Sequence, residues 1–410
     1  MAEPALDRLA QDVPTLGPAL VGGKARRALI KRLADVVCLP TSRVNAFERA
    51  MTADLLVEML REAEIDIRTR TALRLSGLTE IPTSILRLLL RDEIEVSTPL
   101  LGDGTSIPDP DLIMCAREAS IAHRRLIAHR REVSAVVVEA LVEIGEPDVI
   151  EKLLANSGAH FSSTAIERVV AGSREHSSYI AGLLRRNELR PSHAYVMFWW
   201  CDPEARRTVL QRFAVSREVL QEAAGDVFPM AGAEGWQDPL VRKALQFIER
   251  RQRNRAAVDK SPYASLDDAV AVAQAGITRT LVSEIAYLAG IKPTTGAKIF
   301  TDPYGEPLAV LCKATGLPRS AVRALWRGMR RPETSSTGAT APALERSLVT
   351  YDMMAVDRAQ TVLRYWNWSL SSALTPALIR AIREGDNEAV DEYSAPQRAA
   401  MLALSGDFKG

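Results

Sequence analysis

A pattern that recurs about once every 26–29 residues along Glu64–Ile150 constrains this chain more than any other feature. Each copy has an acidic and apolar opening, a basic amphipathic helix, a short turn with Ser or Pro, and a second apolar helix. The openings are Glu64–Ile67, Glu93–Val96, Ser120–His123, Glu146–Val149 and, about two periods later, Asp202–Ala205. We predict that a degenerate copy near Arg174–Arg186 fills the gap. The spacing predicts helix pairs that stack on their neighbours.

The turn between the two helices of a copy also recurs. An apolar residue stands just before the Ser or Pro at which the second helix begins, as in Val133–Ser134 and Phe161–Ser162. Such a residue packs against the first turn of the helix, and the polar or proline residue favours the helix start. A single helix pair cannot offset the entropy of ordering its own residues, so we expect the pairs to fold only as a stack.

The composition is that of a globular protein with a preference for helices. The chain has 410 residues, of which 47% are hydrophobic, 25% are charged and only 5% are aromatic. The length allows two or three domains, and the scarcity of aromatic residues favours helix over sheet. A formal net charge of +1 excludes a polyanion-binding function that depends on overall charge.

Signals for membranes, secretion and disulfides are missing from the sequence. Met1–Leu20 lacks a basic start followed by an apolar core, and no apolar run approaches the ~18 residues of a membrane span. The four cysteines stand far apart without a CxxC pair: Cys38, Cys115, Cys201 and Cys312. We expect reduced thiols on helix faces and a soluble, cytoplasmic protein with no membrane contact.

Changes in composition divide the chain into predicted segments. They are a loose N-terminal segment (1–23), a helical-repeat domain (24–225) whose first two helices cap the stack, a second helical-repeat subdomain (226–331), a flexible linker (332–342), and a C-terminal amphipathic helix and tail (343–410). The second subdomain has its own echo, because Leu288–Ile291 and Ala314–Leu317 match at an offset of 26 residues. Gly290 and Gly316 stand where a helix ends in the left-handed conformation.

Several stretches resemble a known protein family. They are 62–78, 88–101, 119–130, 150–170 and 306–326. They are similar to the mainly alphaproteobacterial family named domain of unknown function 2336, and the resemblance covers about Lys24–Arg330. It implies an all-α fold, a HEAT-like α-solenoid of helix pairs with a second helical subdomain. It brings no activity, ligand or catalytic residue, and 343–410 lies outside it as a helical extension.

No residue pattern typical of catalysis or metal binding stands out. The five histidines lie in separate elements, except that His123 and His129 share a helix, on different faces. Gly17–Ala25 has the wrong spacing for a P-loop, and Ala25 replaces the hydroxyl that would bind magnesium. We predict that the protein is not an enzyme and has no catalytic, cofactor-binding or metal-binding residue.

Two basic runs and two aromatic clusters supply the candidate binding residues. Arg117–Arg131 holds five arginines against one glutamate, and Arg242–Arg255 holds six basic residues against one glutamate. Tyr195–Trp200 and Tyr365–Trp368 are dense in aromatic residues, which are favoured at protein interfaces. The candidates are Arg124, Arg125, Arg130, Arg131, Trp200, Arg250, Arg251, Trp366 and Trp368. The same patterns also fit solvated helix faces and helices docked on the chain's own core.

These observations predict a scaffold or adaptor that binds a partner protein through arginine-rich and aromatic surfaces. The C-terminal helix is a candidate contact for a homo-oligomer. Two alternatives stay open: a nucleic-acid-binding helical-repeat protein, and a sensor of an anionic nucleotide. The first predicts an affinity that falls steeply with salt, and the second predicts a thermal shift with the nucleotide.

Overall fold

A computed structural model describes residues 18–40, 42–102, 107–214, 258, 260–336 and 338–372, and side chains from residue 23 to residue 367 within those ranges. The described part of the chain is built of α-helices and contains no β-sheet. Two isolated β-bridges, Val133 with Ala159 and Thr334 with Thr340, are its only extended pairings. The predicted all-α fold is therefore confirmed.

The chain forms two compact units, an N-terminal unit, Met1–Ala165, and a C-terminal unit, Ile166–Gly410. The helices of the N-terminal unit are α1 (Pro18–Val37), α2 (Ala46–Arg61), α3 (Ile65–Leu75), α4 (Thr83–Leu90), α5 (Ile94–Leu101), α6 (Asp109–Glu118), α7 (Ile121–His129), α8 (Ala135–Ile144) and α9 (Pro147–Ala155). Helix α10 (Ser163–Gly172) begins in this unit and continues into the next.

The C-terminal unit contains shorter helices and one 3-10 turn, Phe198–Trp200. Its helices are α11 (Ser178–Leu183), α12 (Pro191–Met197), α13 (Pro203–Phe213), α14 (Leu266–Ala273), α15 (Arg279–Leu288), α16 (Pro293–Thr301), α17 (Glu306–Thr315), α18 (Arg319–Gly328), α19 (Pro342–Met353) and α20 (Val356–Ser372). The predicted domain boundary at 225/226 lies in residues 215–257, outside the described residues.

Each predicted opening begins a helix. Glu64, Glu93, Ser120 and Glu146 are the residues directly before α3, α5, α7 and α9. Asp202 stands before α13, where its carboxylate accepts a hydrogen bond of 2.8 Å from the amide of Ala205. Helix α11 lies within the stretch predicted for the degenerate copy. An acidic residue at a helix start favours the helix because it faces the positive end of the dipole.

Helices of the N-terminal unit contact the helix two positions further along the chain. One row runs from α3 through α5 and α7 to α9, and the other runs from α2 through α4 and α6 to α8. This is the contact pattern of stacked helix pairs. Burying a large aliphatic side chain between the rows stabilises the unit by about 1.5–3 kcal/mol. Such side chains include Leu56, Leu60, Leu75, Leu89, Val96, Leu100, Leu141 and Leu153.

A tight turn after α9 shows how one repeat is fastened to the one before it. The side-chain Nδ2 of Asn156 donates to the carbonyl oxygens of Ala128 at 2.9 Å and Arg130 at 2.7 Å. Its side-chain oxygen accepts from the amide of Gly158 at 2.9 Å. A Cβ at Gly158 would collide with the Arg131 carbonyl oxygen, so only glycine permits this approach.

The echo predicted in the second half is also confirmed. Gly290 and Gly316 adopt φ angles of 74° and 81°, the left-handed conformation that ends α15 and α17. Ile285 and Leu311, which match at the offset of 26 residues, are both buried. The second half therefore repeats a helix pair, α15 with α16 and α17 with α18.

Three predicted segments differ from the structure. Helix α1 begins at Pro18, inside the predicted loose segment, and residues 1–17 lie outside the described residues. The predicted linker makes a hydrogen-bonded turn, in which Ala341 donates to the Glu333 carbonyl oxygen at 2.8 Å. The predicted continuous helix after it is two helices, because Met354 is extended (ψ 137°). That break allows both α19 and α20 to pack on α17.

Candidate functional site

The side chain of Arg124, which is predicted to bind a partner, makes its hydrogen bonds to other residues of the chain. Its Nε and Nη2 atoms each donate to a Glu146 carboxylate oxygen at 2.6 Å, and the side chain is 12% exposed. Its Nη1 donates to the carbonyl oxygens of Ala116 and Ala119, at 2.9 and 2.6 Å. The hydrogen bond with Glu146 raises the pKa of Arg124. All three nitrogen atoms of this guanidinium therefore donate to acceptors within the chain, and the partner-binding role of Arg124 stays a prediction.

Arg125 and its neighbours belong to a row of ion pairs along the N-terminal unit. In each pair an arginine of one repeat contacts a carboxylate of the next. The pairs are Arg68–Asp92, Arg87–Asp111, Arg91–Glu118, Arg117–Glu143, Arg124–Glu146 and Arg125–Asp148. One of the acidic openings visible in the sequence, Glu146–Val149, supplies two of these carboxylates, Glu146 and Asp148. Three of the five arginines in the basic run Arg117–Arg131 thus form inter-repeat pairs: Arg117, Arg124 and Arg125.

The other predicted arginines differ in position. The Arg130 guanidinium donates to the carbonyl oxygens of Leu101 and Gly102, at 3.0 and 3.1 Å, and so holds the end of α5. Arg131 is exposed, and its backbone carbonyl group lies against Gly158. Arg250 and Arg251 lie outside the described residues, so their predicted role stays a prediction.

Trp366, predicted as a surface anchor, lies in the core of the C-terminal unit. It is fully buried, and its Nε1 donates to the Tyr195 carbonyl oxygen at 3.2 Å. Its ring centroid lies 5.0 Å from that of Phe198 and 4.9 Å from that of Trp199. Residues of the two aromatic clusters of the sequence therefore pack against each other. A residue with no exposed surface cannot anchor a partner, so the predicted role of Trp366 as a surface anchor is wrong.

The two remaining tryptophan candidates differ in how much of their surroundings the structure describes. Trp200 is half-buried, and its Nε1 donates to the Ser173 hydroxyl at 3.0 Å. Trp368 lies in α20, but its side chain is outside the described ones. In the C-terminal helix, the predicted contact for a homo-oligomer, Val362 and Leu363 are buried together with Trp366, and the homo-oligomer stays a prediction.

Sequence reasoning missed a buried charge cluster in the C-terminal unit. Arg206 is 1% exposed and donates to both oxygens of Asp302, at 2.9 and 2.8 Å, and to Glu306 at 3.2 Å. Its guanidinium also lies over the rings of Phe198 and Tyr304, 4.6 and 4.7 Å from their centroids. Burial raises the pKa of Glu306. The cluster joins α13 to α17. Arg206 is separated from Asp302 by 96 positions and from Glu306 by 100 positions, and no sequence pattern connects residues so far apart.

A groove of about 560 Å³ in the N-terminal unit gathers four arginines. Its lining comes from α2, α3, α4 and the turn after α4. The lining residues are Val57, Leu60, Arg61, Arg68, Ser84, Arg87, Leu88, Arg91 and Asp92. The apolar residues of the lining are Val57 and Leu60, which are buried, and Leu88, which is half-buried.

The charge of the groove is unbalanced. Asp92 is the one carboxylate in its lining, and Arg68 occupies it with Nε 2.6 Å from Oδ2. Arg87 and Arg91 pair with carboxylates that do not line the groove, and they remain 53% and 48% exposed. Arg61 is 61% exposed, and its contact with Glu58 of its own helix is 3.7 Å long. Three arginine side chains that are about half exposed therefore line the groove, two of them paired with carboxylates outside it.

Stacking, and not local sequence, assembles this groove. Arg61 and Arg68 belong to α2 and α3, whereas Arg87 lies in α4 and Arg91 directly follows it. The contact between α2 and α4 brings them together. The only sequence signal was the excess of arginine on each amphipathic helix, which does not reveal which arginines share a side.

Neither a metal centre nor a membrane span is found in the described part of the chain. No group of three or more His, Cys, Asp and Glu side chains there converges on a point that could hold a metal ion. No helix there combines the length and the apolar content needed to cross a bilayer.

One comparison with known proteins gives a match. A family model described as an uncharacterised protein conserved in bacteria matches residues 96–364. The match begins later than the resemblance seen in the sequence, so the stretch 62–78 lies outside it. It also continues through α19 and into α20, which lie outside the resemblance seen in the sequence. No curated protein and no solved structure matches the chain.

Proposed function

We propose a binding function for this chain, which belongs to DUF2336, a family of uncharacterised bacterial proteins. The protein is a non-enzymatic scaffold or adaptor of the bacterial cytoplasm, and its helix pairs form a HEAT-like solenoid. Its groove lined by Arg61, Arg68, Arg87 and Arg91 takes up an acidic segment of a partner protein. The proposal keeps the function predicted from sequence but moves the binding surface from Arg124 and Trp366 to this groove.

The observation that carries the proposal is the charge of the groove lining. A guanidinium presents a planar fork of donors that matches a carboxylate, and Arg61, Arg87 and Arg91 line one groove with side chains that are about half exposed, each in contact with one carboxylate of the chain. The half-buried Leu88 in the lining suits an apolar side chain between the carboxylates. Because an exposed pair contributes only about 0.2–1 kcal/mol, the arginines must act together.

A labelled peptide in which Glu and Leu alternate tests the proposal by fluorescence anisotropy. We expect the full chain to bind it, with an affinity that decreases as salt rises. Replacing Arg61 and Arg91 together by Ala weakens binding about fivefold or more, because two exposed guanidinium groups leave the groove. The matched control is Arg70→Ala, since Arg70 is 78% exposed and pairs with Asp66 of its own helix outside the groove.

Two outcomes would count against this function. Equal binding by the double variant and the wild type would show that the peptide binds elsewhere. Tighter binding of a single-stranded oligonucleotide or of a nucleotide than of the peptide would favour the alternatives predicted from sequence. We expect neither, because the groove lining contains no aromatic ring on which a base could stack.

A further inference from the structure

Helix α2 is apolar on two opposite sides. Its inner side buries Ala53, Leu56, Val57 and Leu60. Its outer side exposes Phe47 (72%), Met51 (58%) and Leu55 (49%), which we call the α2 stripe. These three residues are four positions apart and lie on one line along the helix. They do not line the arginine groove, so the stripe is a separate surface.

An apolar outer side is unexpected at this place in the fold. The helices at the end of a repeat stack need a polar outer side, because no further repeat covers them. A helix that is apolar all round is normally buried on all sides. Phe and Met are also among the residues enriched at the centre of protein interfaces. The stripe therefore has the composition of a covered surface.

The charges at the two ends of α2 indicate what covers it. Arg43 lies before the N-cap residue Asn45, and Glu58 lies in the last turn. Arg43 and Glu58 oppose the helix dipole, which favours acidic groups at the start and basic groups at the end, whereas Arg61 in the same last turn complements it and contacts Glu58 at 3.7 Å. Glu48, the acidic residue of the first turn, is taken up by the capping box with Asn45. Another helix lying antiparallel would bring Arg43 next to a Glu58.

We infer that two copies of this chain form a dimer in which their α2 helices pack antiparallel about a two-fold axis near Met51. Phe47 and Leu55 are equally distant from Met51 in sequence, so each Phe47 meets a Leu55 of the other copy. The same axis places each Arg43 beside a Glu58. The stripe is thus complementary to itself, as a two-fold interface requires. Helix α2 precedes residues 96–364, so this inference depends on the chain's own residues and not on the family.

Sedimentation velocity of the full chain over about 1–100 µM tests the dimer. The 16 residues of α2 form a contact about 24 Å long, so we expect a weak dimer in this range. Met51→Glu should give a monomer with an unchanged melting temperature, because the side chain is already exposed. The matched control is Leu73→Glu, a charge at an apolar residue of α3 that is 64% exposed and outside the stripe, and it should still dimerise.

A charge exchange tests the antiparallel arrangement itself. Arg43→Glu should weaken the dimer about tenfold, because it places two acidic groups side by side. Adding Glu58→Arg to that variant should restore the wild-type dissociation constant, since the pair is re-formed with its charges exchanged.

Several results would overturn the inference. A wild type that stays monomeric over the whole range would refute it, and so would a Met51→Glu variant that still dimerises. Failure of the second exchange to restore the dimer would do the same. If deletion of residues 1–17 turned a monomeric wild type into a dimer, the stripe would be covered by the chain itself, and the inference would be wrong.

Discussion

His123 shows at the residue scale how a side chain that invites a catalytic interpretation serves the fold. It is 3% exposed, and its Nε2 lies 2.9 Å from the Ser97 hydroxyl and 3.1 Å from the Asp92 carbonyl oxygen. Its Nδ1 lies 2.8 Å from the hydroxyl of Ser120, the residue before α7. The neutral ring, with its proton on Nε2, satisfies the carbonyl oxygen and links one repeat to the next.

We expect His123 to make the fold less stable in mild acid. Burial lowers its pKa, so the unfolded chain, with an ordinary pKa of about 6.5, binds the proton more readily than the folded chain. The contribution of neutral His123 to the free energy of unfolding is complete above about pH 6.5 and decreases as the pH falls below that value. Melting temperatures between about pH 7.5 and 5.5 check this, and His123→Gln should give a flatter dependence. His129→Gln, at an exposed position of the same helix, is the control and should keep the wild-type slope.

At the element scale, the link between α13 and α17 depends on a buried ion pair. Arg206 stands one turn inside α13, and Asp302 and Glu306 flank the start of α17. Asp302 also accepts hydrogen bonds from the amides of Tyr304 and Gly305, at 3.0 and 2.8 Å. The carboxylate thus shapes the turn before α17 and holds the guanidinium at the same time. Asp302 and Arg206 are consequently part of one structural unit.

Removing only the guanidinium should be costly. We expect Arg206→Met to lower the free energy of unfolding by about 3–5 kcal/mol, because it leaves buried carboxylates unpaired. Denaturant unfolding followed by circular dichroism measures the change. The triple variant that adds Asp302→Asn and Glu306→Gln should recover part of the loss, since no buried carboxylate is then left without Arg206, and the Arg346 that also contacts Glu306 is 40% exposed. A triple variant as unstable as the single one would show that packing, and not charge, accounts for the effect.

At the scale of the whole molecule, the two units are stabilised by contacts of different range. In the N-terminal unit, Arg68–Asp92 and Arg124–Glu146 join residues 24 and 22 positions apart. In the C-terminal unit, Trp366 of α20 bonds to Tyr195 of α12, 171 positions away. The C-terminal helix is therefore part of the core of that unit and not an extension of it. This agrees with a family match that continues to residue 364.

Loss of this long-range contact should unfold the C-terminal unit more easily. We expect Trp366→Ala to lower the free energy of unfolding by about 3–5 kcal/mol, the cost of emptying a large buried site. Trp366→Phe keeps most of the packing and should cost less. Trp200→Ala is the control at a half-buried tryptophan, and chemical denaturation compares all three. Equal effects at Trp200 and Trp366 would contradict the assignment of Trp366 to the core.

The sequence by itself determined the local structure of this protein. The period of the repeats, the openings at Glu64 and Glu146, and the left-handed Gly290 and Gly316 all predicted helices and their ends correctly. These features depend on residues within a few positions of each other, because capping and amphipathic spacing act over one or two turns.

Only the tertiary structure decided which side chains are free. Arg124 and Arg61 look alike in the sequence, yet one is enclosed by Glu146 and the other is exposed at a groove. Trp366 is of a residue type favoured at interfaces, yet it lies in the core. Nothing in the sequence indicated that Arg206 is buried. The reason is physical: an ion pair or a buried ring needs a partner from another helix, and the register between helices follows from how the whole stack packs.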